Sequence, residues 1–254
     1  MPLRVIQITD CHLFADAATQ LKGICTRERL GRVLQALQAE LPRAERLIVT
    51  GDLAHDDKRE TYEAFRELLA DWLPRVRLLP GNHDDRTLMR QIFGDVVQAA
   101  GERNVFAESV GNWLLVGLDT QITDSLSGEL GGEQLAWLEE QLTASSLPTA
   151  LFLHHPPVPV NSLWLEKIGL KDASDLWQLL ARFPQVRVIC TGHVHQESAT
   201  SHGSMLVLTT PSTAVQFRPE SDVLVVDDVL PGYRILELAD DGSVQTRVMR
   251  VSVA

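Results

Sequence analysis

The spacing of apolar residues along the chain follows two different periods. Short runs rich in Val, Ile and Leu, each ending at polar or glycine residues, predict strands over 3–9, 46–50, 76–79, 113–118, 150–153 and 186–191. Between them, apolar residues repeat at three- and four-residue intervals and predict helices over 27–40, 59–72, 132–143 and 174–183. Leu30, Val33, Leu34 and Leu37 form one such stripe. This alternation predicts a largely β-α-β organisation through about residue 195.

The pattern changes after Gly203. Strand-like runs at 205–209, 222–226, 233–238 and 244–251 follow one another with few helix signals, and Asp241-Gly242 is typical of a hairpin turn. This strand-rich section suggests a second sheet packed on the first. No internal repeat and no Pro/Gly/Ser linker divides the sequence, so we expect a single domain over 1–254 with a β-rich section from about residue 203.

Composition and charge narrow the choice of partners. The chain has 254 residues, is 44% hydrophobic and 22% charged, and carries a formal net charge of −11. Binding to nucleic acid requires a basic surface for the phosphates, so we expect no nucleic-acid partner. An acidic protein that handles an anionic substrate needs local positive charge, and bound metal ions would supply it.

The cysteines and the first residues bear on the compartment. Cys11, Cys25 and Cys190 show no paired spacing, so we expect reduced thiols in or near the core rather than a disulfide framework or a structural zinc site. The chain starts directly with a strand-like run and shows no signal-peptide pattern. No apolar run approaches the ~18 residues that span a bilayer. These features predict a cytoplasmic protein without a membrane partner.

Polar residues that packing does not require follow the predicted strands. They form five clusters: Asp10 and His12; Asp52; Asn82, His83 and Asp84; His154 and His155; His193 and His195. Ligands of α/β sheets gather outside the carboxyl ends of strands, so neighbouring strands would bring these side chains to one edge. Glycines that fit tight turns after the strands stand beside them, at Gly51, Gly81 and Gly192.

The residue types in these clusters point to metal chemistry. Carboxylate, amide and imidazole ligands suit first-row divalent ions, and their number exceeds what one ion requires. Two ions about 3.5–4 Å apart can share a carboxylate, an arrangement suited to in-line displacement at phosphorus. Asp52, isolated in its cluster, is the natural bridge. The pairs Asp10/His12 and His193/His195 have i, i+2 spacing, which puts both side chains on one side of an extended segment.

Taken in order, the clusters resemble the motifs of the calcineurin-like metallophosphoesterase superfamily: Asp10-x-His12, Gly51-Asp52, Gly81-Asn82-His83-Asp84, His154 and Gly192-His193-x-His195. Flanking residues at 7–14, 50–54, 80–84 and 192–197 are similar to bacterial class III cyclic-nucleotide phosphodiesterases, in particular those acting on 3′,5′-cyclic AMP. So are 210–217 (TPSTAVQF) and 231–234 (PGYR). These last two stretches carry no ligand chemistry and therefore say more about the subfamily than the metal motifs do.

The resemblance implies an α/β fold, a four-layer α-β-β-α sandwich with two mixed β-sheets. It also implies a centre of two first-row metal ions, iron and manganese in the first place, with zinc or cobalt as alternatives. By motif, the first ion would be held by Asp10, His12, Asp52 and His195. The second would be held by Asp52, Asn82, His154 and His193.

The resemblance further implies the catalytic roles. His83 would reach the phosphate as proton donor or transition-state stabiliser, and Asp84 would orient its imidazole. A metal-bridging hydroxide would attack phosphorus in line while the 3′-oxygen departs. The substrate would lie beside His12, Asp52, Asn82, His83 and His195.

The leading hypothesis is therefore hydrolysis of 3′,5′-cyclic AMP to 5′-AMP. A broad-specificity phosphodiesterase acting on glycerophosphodiesters or other small phosphodiesters stays the alternative, because the metals recognise phosphate and the pocket walls recognise the rest. A Ser/Thr protein phosphatase is disfavoured because 51–56 lacks the arginine of that family. The acidic balance disfavours a nuclease, and the intact His83 beside a full ligand set disfavours a non-catalytic nucleotide sensor.

Other residues near the motifs leave more than one interpretation open. His155 is a second candidate for the ligand position that we assign to His154, which directly follows the strand. We expect His55 and His202 to be ordinary, hydrogen-bonded histidines. Asp119 could support the site or fill a turn, and Trp164 could stack on a base or pack at the surface. A homodimer is suggested by the resemblance alone.

Overall fold

The computed structural model describes residues 2–252, and Met1, Val253 and Ala254 of the predicted single domain lie outside the described residues. The main strands are β1 (Leu3–Ile8), β2 (Arg46–Thr50), β3 (Val76–Leu79), β4 (Phe106–Val110), β5 (Trp113–Leu118), β6 (Thr149–Leu153), β7 (Val186–Thr191), β8 (Ser198–His202), β9 (Met205–Thr209), β10 (Gly232–Leu238) and β11 (Val244–Arg250). The helices are α1 (Thr26–Leu37), α2 (Arg59–Leu68), α3 (Arg86–Ile92), α4 (Gly131–Thr143), α5 (Leu163–Glu166) and α6 (Ala173–Leu180), with a 3₁₀ helix over Ala70–Arg75.

These strands form two mixed sheets. The first has the order β11-β10-β1-β2-β3, in which β1, β2 and β3 are parallel and β10 and β11 are antiparallel neighbours. The second has the order β8-β9-β7-β6-β5-β4, with a parallel centre and an antiparallel strand at each edge. Two-residue ladders pair Gln20–Leu21 with Ile24–Cys25, Ala99–Ala100 with Arg103–Asn104, and Gln216–Phe217 with Val226–Asp227.

The two faces of each sheet are buried against different layers. Along β2, Leu47 and Val49 pack in the cluster that contains Leu30 of α1 and Phe65 of α2, whereas Ile48 packs between the sheets. This follows from the two-residue period of a strand. Apolar residues of β6 and β7 pack on the other side with residues of α4 and α6: Leu151, Ile189, Leu138 and Leu176. The predicted four-layer α-β-β-α sandwich is confirmed.

The strand-rich end of the chain does not form a sheet of its own. Strand β9 joins the second sheet beside β7, and β10 pairs with β1 in the first sheet. The strand predicted over 222–226 is wrong, because only Val226–Asp227 lies in a two-residue ladder. Val223 and Leu224 are 64% and 41% exposed, so no neighbouring layer stabilises an extended segment there.

Parallel strands carry the predicted clusters to one edge of the molecule. In the first sheet β1, β2 and β3 end side by side, and in the second sheet β6 and β7 do the same. Within the second sheet, Gly192 N–H donates to His154 O at 3.0 Å, and the two edges are joined where His193 N–H donates to the Asp10 carboxylate at 3.0 Å. Between residues 2 and 252, no helix is both long enough and apolar enough to cross a membrane.

Candidate metal centre

The segment after β1 is fixed by the segment after β2. Asp10 N–H donates to Gly51 O at 3.0 Å, and His12 N–H donates to Asp52 O at 2.9 Å. The pairing continues through a parallel bridge between Leu13 and Ala54. These bonds extend the ladder beyond the strands and bring the side chains of Asp10, His12 and Asp52 together at the sheet edge.

Several predicted ligands have an unusual backbone conformation. The φ angles are 54° at Asp10, 46° at His12, 53° at Asp52, 69° at His193 and 51° at His195. Left-handed conformations are uncommon for residues with a Cβ and cost on the order of 1–3 kcal/mol each. The fold holds this strain at the residues that sequence reasoning assigned to metal binding.

Two glycines leave room for these side chains. A Cβ on Gly51, whose φ is +100°, would lie 2.5 Å from His154 Nδ1. A Cβ on Gly81 would overlap the carboxylate and backbone of Asp52. Because neither neighbour can move without displacing a predicted ligand, both positions require glycine.

His154 and His195 turn the same ring nitrogen toward the centre. His154 Nδ1 donates to Thr50 O at 2.7 Å, and His195 Nδ1 donates to Val215 O at 2.6 Å. A carbonyl oxygen can only accept, so a neutral ring in either position carries its proton on Nδ1 and its lone pair on Nε2. In the neutral form that binds a metal, both Nε2 atoms therefore face the centre as acceptors.

Those acceptors face other acceptors. His195 Nε2 lies 3.3 Å from Asp10 Oδ1, and His154 Nε2 lies 3.5 Å from Asp52 Oδ2. His12 Nε2 lies 3.1 Å from His195 Nε2 and 3.5 Å from Asp52 Oδ2. Buried lone pairs gathered in this way are unfavourable without a positive charge among them. The donor set, imidazole nitrogen with carboxylate oxygen, fits first-row divalent ions.

His193 and Asn82 extend the cluster on the side of the second sheet. His193 Nε2 is buried and has no hydrogen-bond partner among residues 2–252, and its ring centroid is 5.1 Å from that of His154. Asn82 Oδ1 lies 3.3 Å from His154 Nε2. An unpaired buried ring nitrogen costs about 1–3 kcal/mol, and a metal ion would satisfy it. This orphaned atom is a second sign that the residues fit a metal.

Asp52 lies between the two halves of the cluster. Its Oδ2 is 3.5 Å from His12 Nε2 of the first sheet and 3.5 Å from His154 Nε2 of the second. Its Oδ1 accepts a hydrogen bond from His83 N–H at 3.0 Å. One oxygen is thus equally distant from ligands assigned to different ions, which is the arrangement that a bridging carboxylate requires.

The protonation states of the cluster follow from burial and mutual contact. Although burial opposes ionisation, the histidines around Asp52 and Asp10 lower the pKa of both carboxyl groups. Burial lowers the pKa of His12 and His193 well below the ordinary value. Burial also acts on His154, but the Asp52 carboxylate prevails and raises its pKa to about 9. Anionic carboxylates and neutral imidazoles are the forms that bind metals, so a metal ion must displace the proton that His154 holds at neutral pH.

His154 and His155 are adjacent but their ring nitrogens are used differently. His155 Nδ1 lies 2.8 Å from Thr120 Oγ1, and its Nε2 donates to Leu126 O at 3.1 Å. Burial and then His154 lower the pKa of His155 to about 3, so this ring is neutral. His155 is close enough to His154 and His193 to join a metal-binding group by distance. Its own hydrogen bonds leave it no free lone pair, which favours His154 as the ligand.

Asp84 is buried, and both of its carboxylate oxygens are occupied. They accept hydrogen bonds from Leu53 N–H at 3.1 Å, Ala54 N–H at 3.1 Å, Gly81 N–H at 2.9 Å and Tyr62 O–H at 3.2 Å. Within the described part of the chain it makes no hydrogen bond to the His83 imidazole, so the expected orienting role lacks a contact. Asp84 instead ties the loop carrying Asp52 to the loop carrying Asn82.

His55, which the sequence suggested was an ordinary histidine, lies within the cluster. Its Nδ1 is 3.1 Å from His12 Nδ1, and its ring stacks on that of His83 with centroids 4.5 Å apart and an angle of 24°. Burial and then His83 lower the pKa of His55. No motif flagged this position; its only sequence signal is its place three residues after Asp52. His202, by contrast, stacks on Trp177 at the surface.

The segment at 210–217 also contributes to the site. Besides the Val215 carbonyl that orients His195, Ser212 Oγ donates to Asp10 O at 2.7 Å. The buried Arg234 guanidinium donates to Thr209 O at 2.7 Å and holds the start of this segment. The resemblance at 210–217 and 231–234 was therefore the signal for residues that support the ligands.

The two residues left open by the sequence both have packing partners. Asp119 is fully buried and accepts two hydrogen bonds from Arg86, at 2.6 and 2.8 Å. Trp164 packs edge-on against Phe217, with centroids 5.3 Å apart, and Phe217 stacks on His195 at 4.2 Å. These contacts give Asp119 and Trp164 structural roles near the centre.

Cavities reach the centre from three sides. A cavity of about 680 Å³ is lined by Asn82 and His83, with Arg86 and Gln121 in its wall. A second, of about 480 Å³, is lined by His195 and Phe217. A third, of about 250 Å³, reaches His193 past a run of prolines. The cluster is therefore accessible to a small molecule.

Comparison with known proteins agrees with this geometry. The model of the calcineurin-like phosphoesterase family matches residues 3–197. The chain is 37% identical over 251 residues to the 3′,5′-cyclic adenosine monophosphate phosphodiesterase CpdA of Pseudomonas aeruginosa, covering 97% of this chain and 89% of the relative. It is 35% identical over 252 residues to a 3′,5′-cyclic-nucleotide phosphodiesterase of Nostoc sp., covering 99% of this chain and 93% of the relative.

A solved structure shows the same fold. A dimetal phosphatase from Danio rerio superposes with a TM-score of 0.66 at 16% identity, covering 99% of this chain and 100% of that one. The family implies a dinuclear divalent metal site, and the His/Asp clusters described above are in place for one. The chain belongs to the calcineurin-like phosphoesterase family.

Proposed function

We propose that this protein is a binuclear metal-dependent phosphodiesterase that hydrolyses 3′,5′-cyclic AMP to 5′-AMP. One observation carries the proposal: the buried imidazole and carboxylate acceptors meet around Asp52 in a chain that matches cyclic-nucleotide phosphodiesterases over nearly its whole length. The acceptors around Asp52 support metal-dependent chemistry, and the match to cyclic-nucleotide phosphodiesterases supports cyclic AMP as the substrate.

Residues from both sheets would hold each ion. We assign one ion to Asp10, His12, Asp52 and His195, and the other to Asp52, Asn82, His154 and His193. When bound, two adjacent divalent ions would neutralise the phosphate and lower the pKa of water to produce a nucleophile. The backbone carbonyls of Thr50 and Val215 keep the Nε2 lone pairs of His154 and His195 directed at the ions.

His83 is suited to act on the phosphate. Its backbone is fixed by Asp52, and its half-buried ring lines the cavity of about 680 Å³ beside Asn82. An imidazole there can donate a hydrogen bond to a phosphate oxygen and give a proton to the departing 3′-oxygen as the P–O3′ bond breaks. Asp84 would act only on the loops, through its bonds to Leu53 and Gly81 N–H.

The finer properties stay predictions. Iron and manganese are proposed as the ions, because the mixed nitrogen and oxygen set accepts them, and elemental analysis of native protein would identify them.

A homodimer would appear in light scattering, and a cytoplasmic location in cell fractionation. A single domain is proposed because the first sheet contains strands from both ends of the chain, β1 to β3 and β10 to β11; one cooperative unfolding transition would support it.

Side-by-side turnover tests the substrate. We expect kcat/KM for 3′,5′-cyclic AMP to exceed that for glycerophosphodiesters on the same metal-loaded preparation, with 5′-AMP as the product. A large preference for glycerophosphodiesters would retain the chemistry and overturn the substrate. Full metal loading without turnover of any phosphodiester would overturn both.

A further inference from the structure

The contact between His12 and His55 differs from the other ligand contacts in the centre. His154 and His195 each donate an Nδ1 proton to a backbone carbonyl. His12 Nδ1 instead faces His55 Nδ1 at 3.1 Å. The hydrogen-bond partner of His12 is thus the side chain of His55, whereas His154 and His195 have backbone partners. A single substitution at His55 can therefore remove the partner of His12.

The position of the protons follows from the geometry of His12. Its Nε2 is 3.5 Å from Asp52 Oδ2, so Nε2 is the nitrogen directed at the ions. A neutral imidazole that binds through Nε2 carries its proton on Nδ1. That proton points at His55, whose Nδ1 must accept it with a lone pair. His55 then carries its own proton on Nε2.

The other contact of His55 is with His83. The two rings are stacked with centroids 4.5 Å apart and an angle of 24°, and Phe14 lies against His55 with centroids 5.0 Å apart. A half-buried histidine without such a neighbour could turn about its side-chain bonds into the cavity. The flat face of His55 limits the orientations of His83 to those in which the ring stays beside the centre.

We propose that His55 is a positioning residue with two separable parts: its Nδ1 accepts the proton of His12 and so fixes that ligand, and its ring face holds His83. The inference rests on the proposed metal-dependent phosphodiester chemistry, but not on cyclic AMP as the substrate. Hydrogen-bond partners of metal-binding histidines typically contribute about 10–100-fold in metal affinity or activity.

An alternative is that His55 binds a metal ion itself, since His12, His55 and His83 lie within ligand distance of one another. The geometry argues against this. His55 Nδ1 faces the side of the His12 ring opposite to the nitrogen that is directed at Asp52. An ion held by these three rings would have no carboxylate in that group, and His12 could not serve both places in its neutral form.

Two substitutions separate the two parts. His55→Asn keeps an acceptor oxygen at about the place of Nδ1 but removes the aromatic face. His55→Phe keeps a ring that can stack between Phe14 and His83 but removes the acceptor. His55→Ala removes both. His202 provides the matched control, because it is an exposed histidine that stacks on Trp177 away from the centre.

Metal affinity tests the acceptor without any substrate. Each full-length variant would be stripped with a chelator, checked for its folded state by circular dichroism, and titrated calorimetrically with Mn²⁺. We expect His55→Ala and His55→Phe to weaken binding of one Mn²⁺ by about 10–100-fold, with stoichiometry unchanged at high Mn²⁺. His55→Asn and His202→Asn should bind within about threefold of the parent protein.

Turnover of bis(p-nitrophenyl) phosphate at saturating Mn²⁺ tests the ring face. We expect kcat of His55→Asn and His55→Ala to fall about tenfold or more, because a misplaced catalytic group loses rate, while His55→Phe stays within about threefold. His202→Phe should match the parent protein. Loss of one Mn²⁺ equivalent in all three His55 variants would show that His55 is a ligand and overturn the proposal. Equal behaviour of His55→Asn and His55→Phe in both measurements would overturn it too.

Discussion

The candidate centre has one side held by backbone and one side held by histidine side chains. On the backbone-held side, the carbonyls of Thr50 and Val215 fix the rings of His154 and His195. On the histidine-held side, His12 and His83 depend on His55. Two different kinds of partner thus orient the imidazole rings of the centre: backbone carbonyls on one side and a histidine side chain on the other.

The difference lies in what each partner depends on. Thr50 O lies at the end of β2, and Val215 O lies in the buried segment 210–216 that Ser212 and Arg234 hold in place. Both carbonyls therefore move only if the surrounding fold moves. An imidazole partner has rotatable bonds and can be replaced by one substitution. His83, on the histidine-held side, also lines the cavity of about 680 Å³. Substitutions on the two sides should therefore have different consequences.

Asp52→Ala should have the largest effect, because Asp52 belongs to both sides. Its Oδ2 lies 3.5 Å from both His12 and His154. Removing the shared carboxylate should lower the metal content and reduce phosphodiester turnover to background. Elemental analysis and turnover of bis(p-nitrophenyl) phosphate would measure both, and near-normal turnover would contradict the bridging assignment.

The adjacent pair His154 and His155 tests the backbone-held side. His154→Gln should lose metal and at least about 100-fold in turnover, because its Nε2 faces Asp52. His155→Gln should keep its metal, since both ring nitrogens of His155 are used by Thr120 and Leu126, and should lose about 1–3 kcal/mol of unfolding free energy. If His154→Gln kept its metal and His155→Gln lost it, His155 would be the ligand.

His83→Ala tests the histidine-held side. We expect the variant to keep its metal content and to lose about 10²–10⁴ in kcat, the range for acid–base and electrostatic roles. Elemental analysis of the metal content distinguishes a catalytic role of His83 from a role as a metal ligand. If the variant loses metal, His83 is itself a ligand and the assignment is wrong.

The pH dependence of metal binding should reflect His154. Burial lowers but Asp52 raises its pKa, from 6.5 to about 9, so the metal-free protein holds a proton there at neutral pH. This proton stabilises the metal-free fold fully below about pH 6.5, and the contribution is lost as pH rises through about 9. Mn²⁺ must displace it, so affinity should rise by up to about tenfold per pH unit between about pH 7 and pH 9. Calorimetry in buffers of different ionisation enthalpy would detect the released proton; no release would contradict the assignment.

Ser212→Ala should have the smallest effect. Its hydroxyl donates to Asp10 O at 2.7 Å and accepts from Ala214 N–H at 2.8 Å beneath the centre. Leaving these groups unpaired should cost about 1–3 kcal/mol of unfolding free energy, measured by urea denaturation. Ser221→Ala, whose hydroxyl donates to Val223 O within an exposed loop, is the control and should change stability by less than about 0.5 kcal/mol.

The sequence predicted the elements whose packing shows in their pattern. The apolar stripe of Leu30, Val33 and Leu37 predicted α1, and the short runs of Val, Ile and Leu predicted the central strands of both sheets. The edge strand β8 was missed because all five of its residues are exposed and polar or small, so no alternation marks it. Helix α3 was missed because Met89 is its one fully buried residue.

The candidate site was predictable where chemistry and strand ends coincide. Asp10, Asp52 and His154 follow buried strands, and the structure brings them together. The role of His55 was not visible, because the separation of two rings depends on how two loops pack rather than on local pattern. The role of the Val215 carbonyl could not be predicted either, because every residue has a carbonyl and only the packing of the chain shows which one accepts from His195.

Metal content and turnover of 3′,5′-cyclic AMP, measured on one preparation of the native protein, test the central claim most directly. We expect about two metal ions per chain and release of 5′-AMP that is lost when a chelator removes the metal. About two ions per chain with no hydrolysis of cyclic AMP or any other phosphodiester would contradict it.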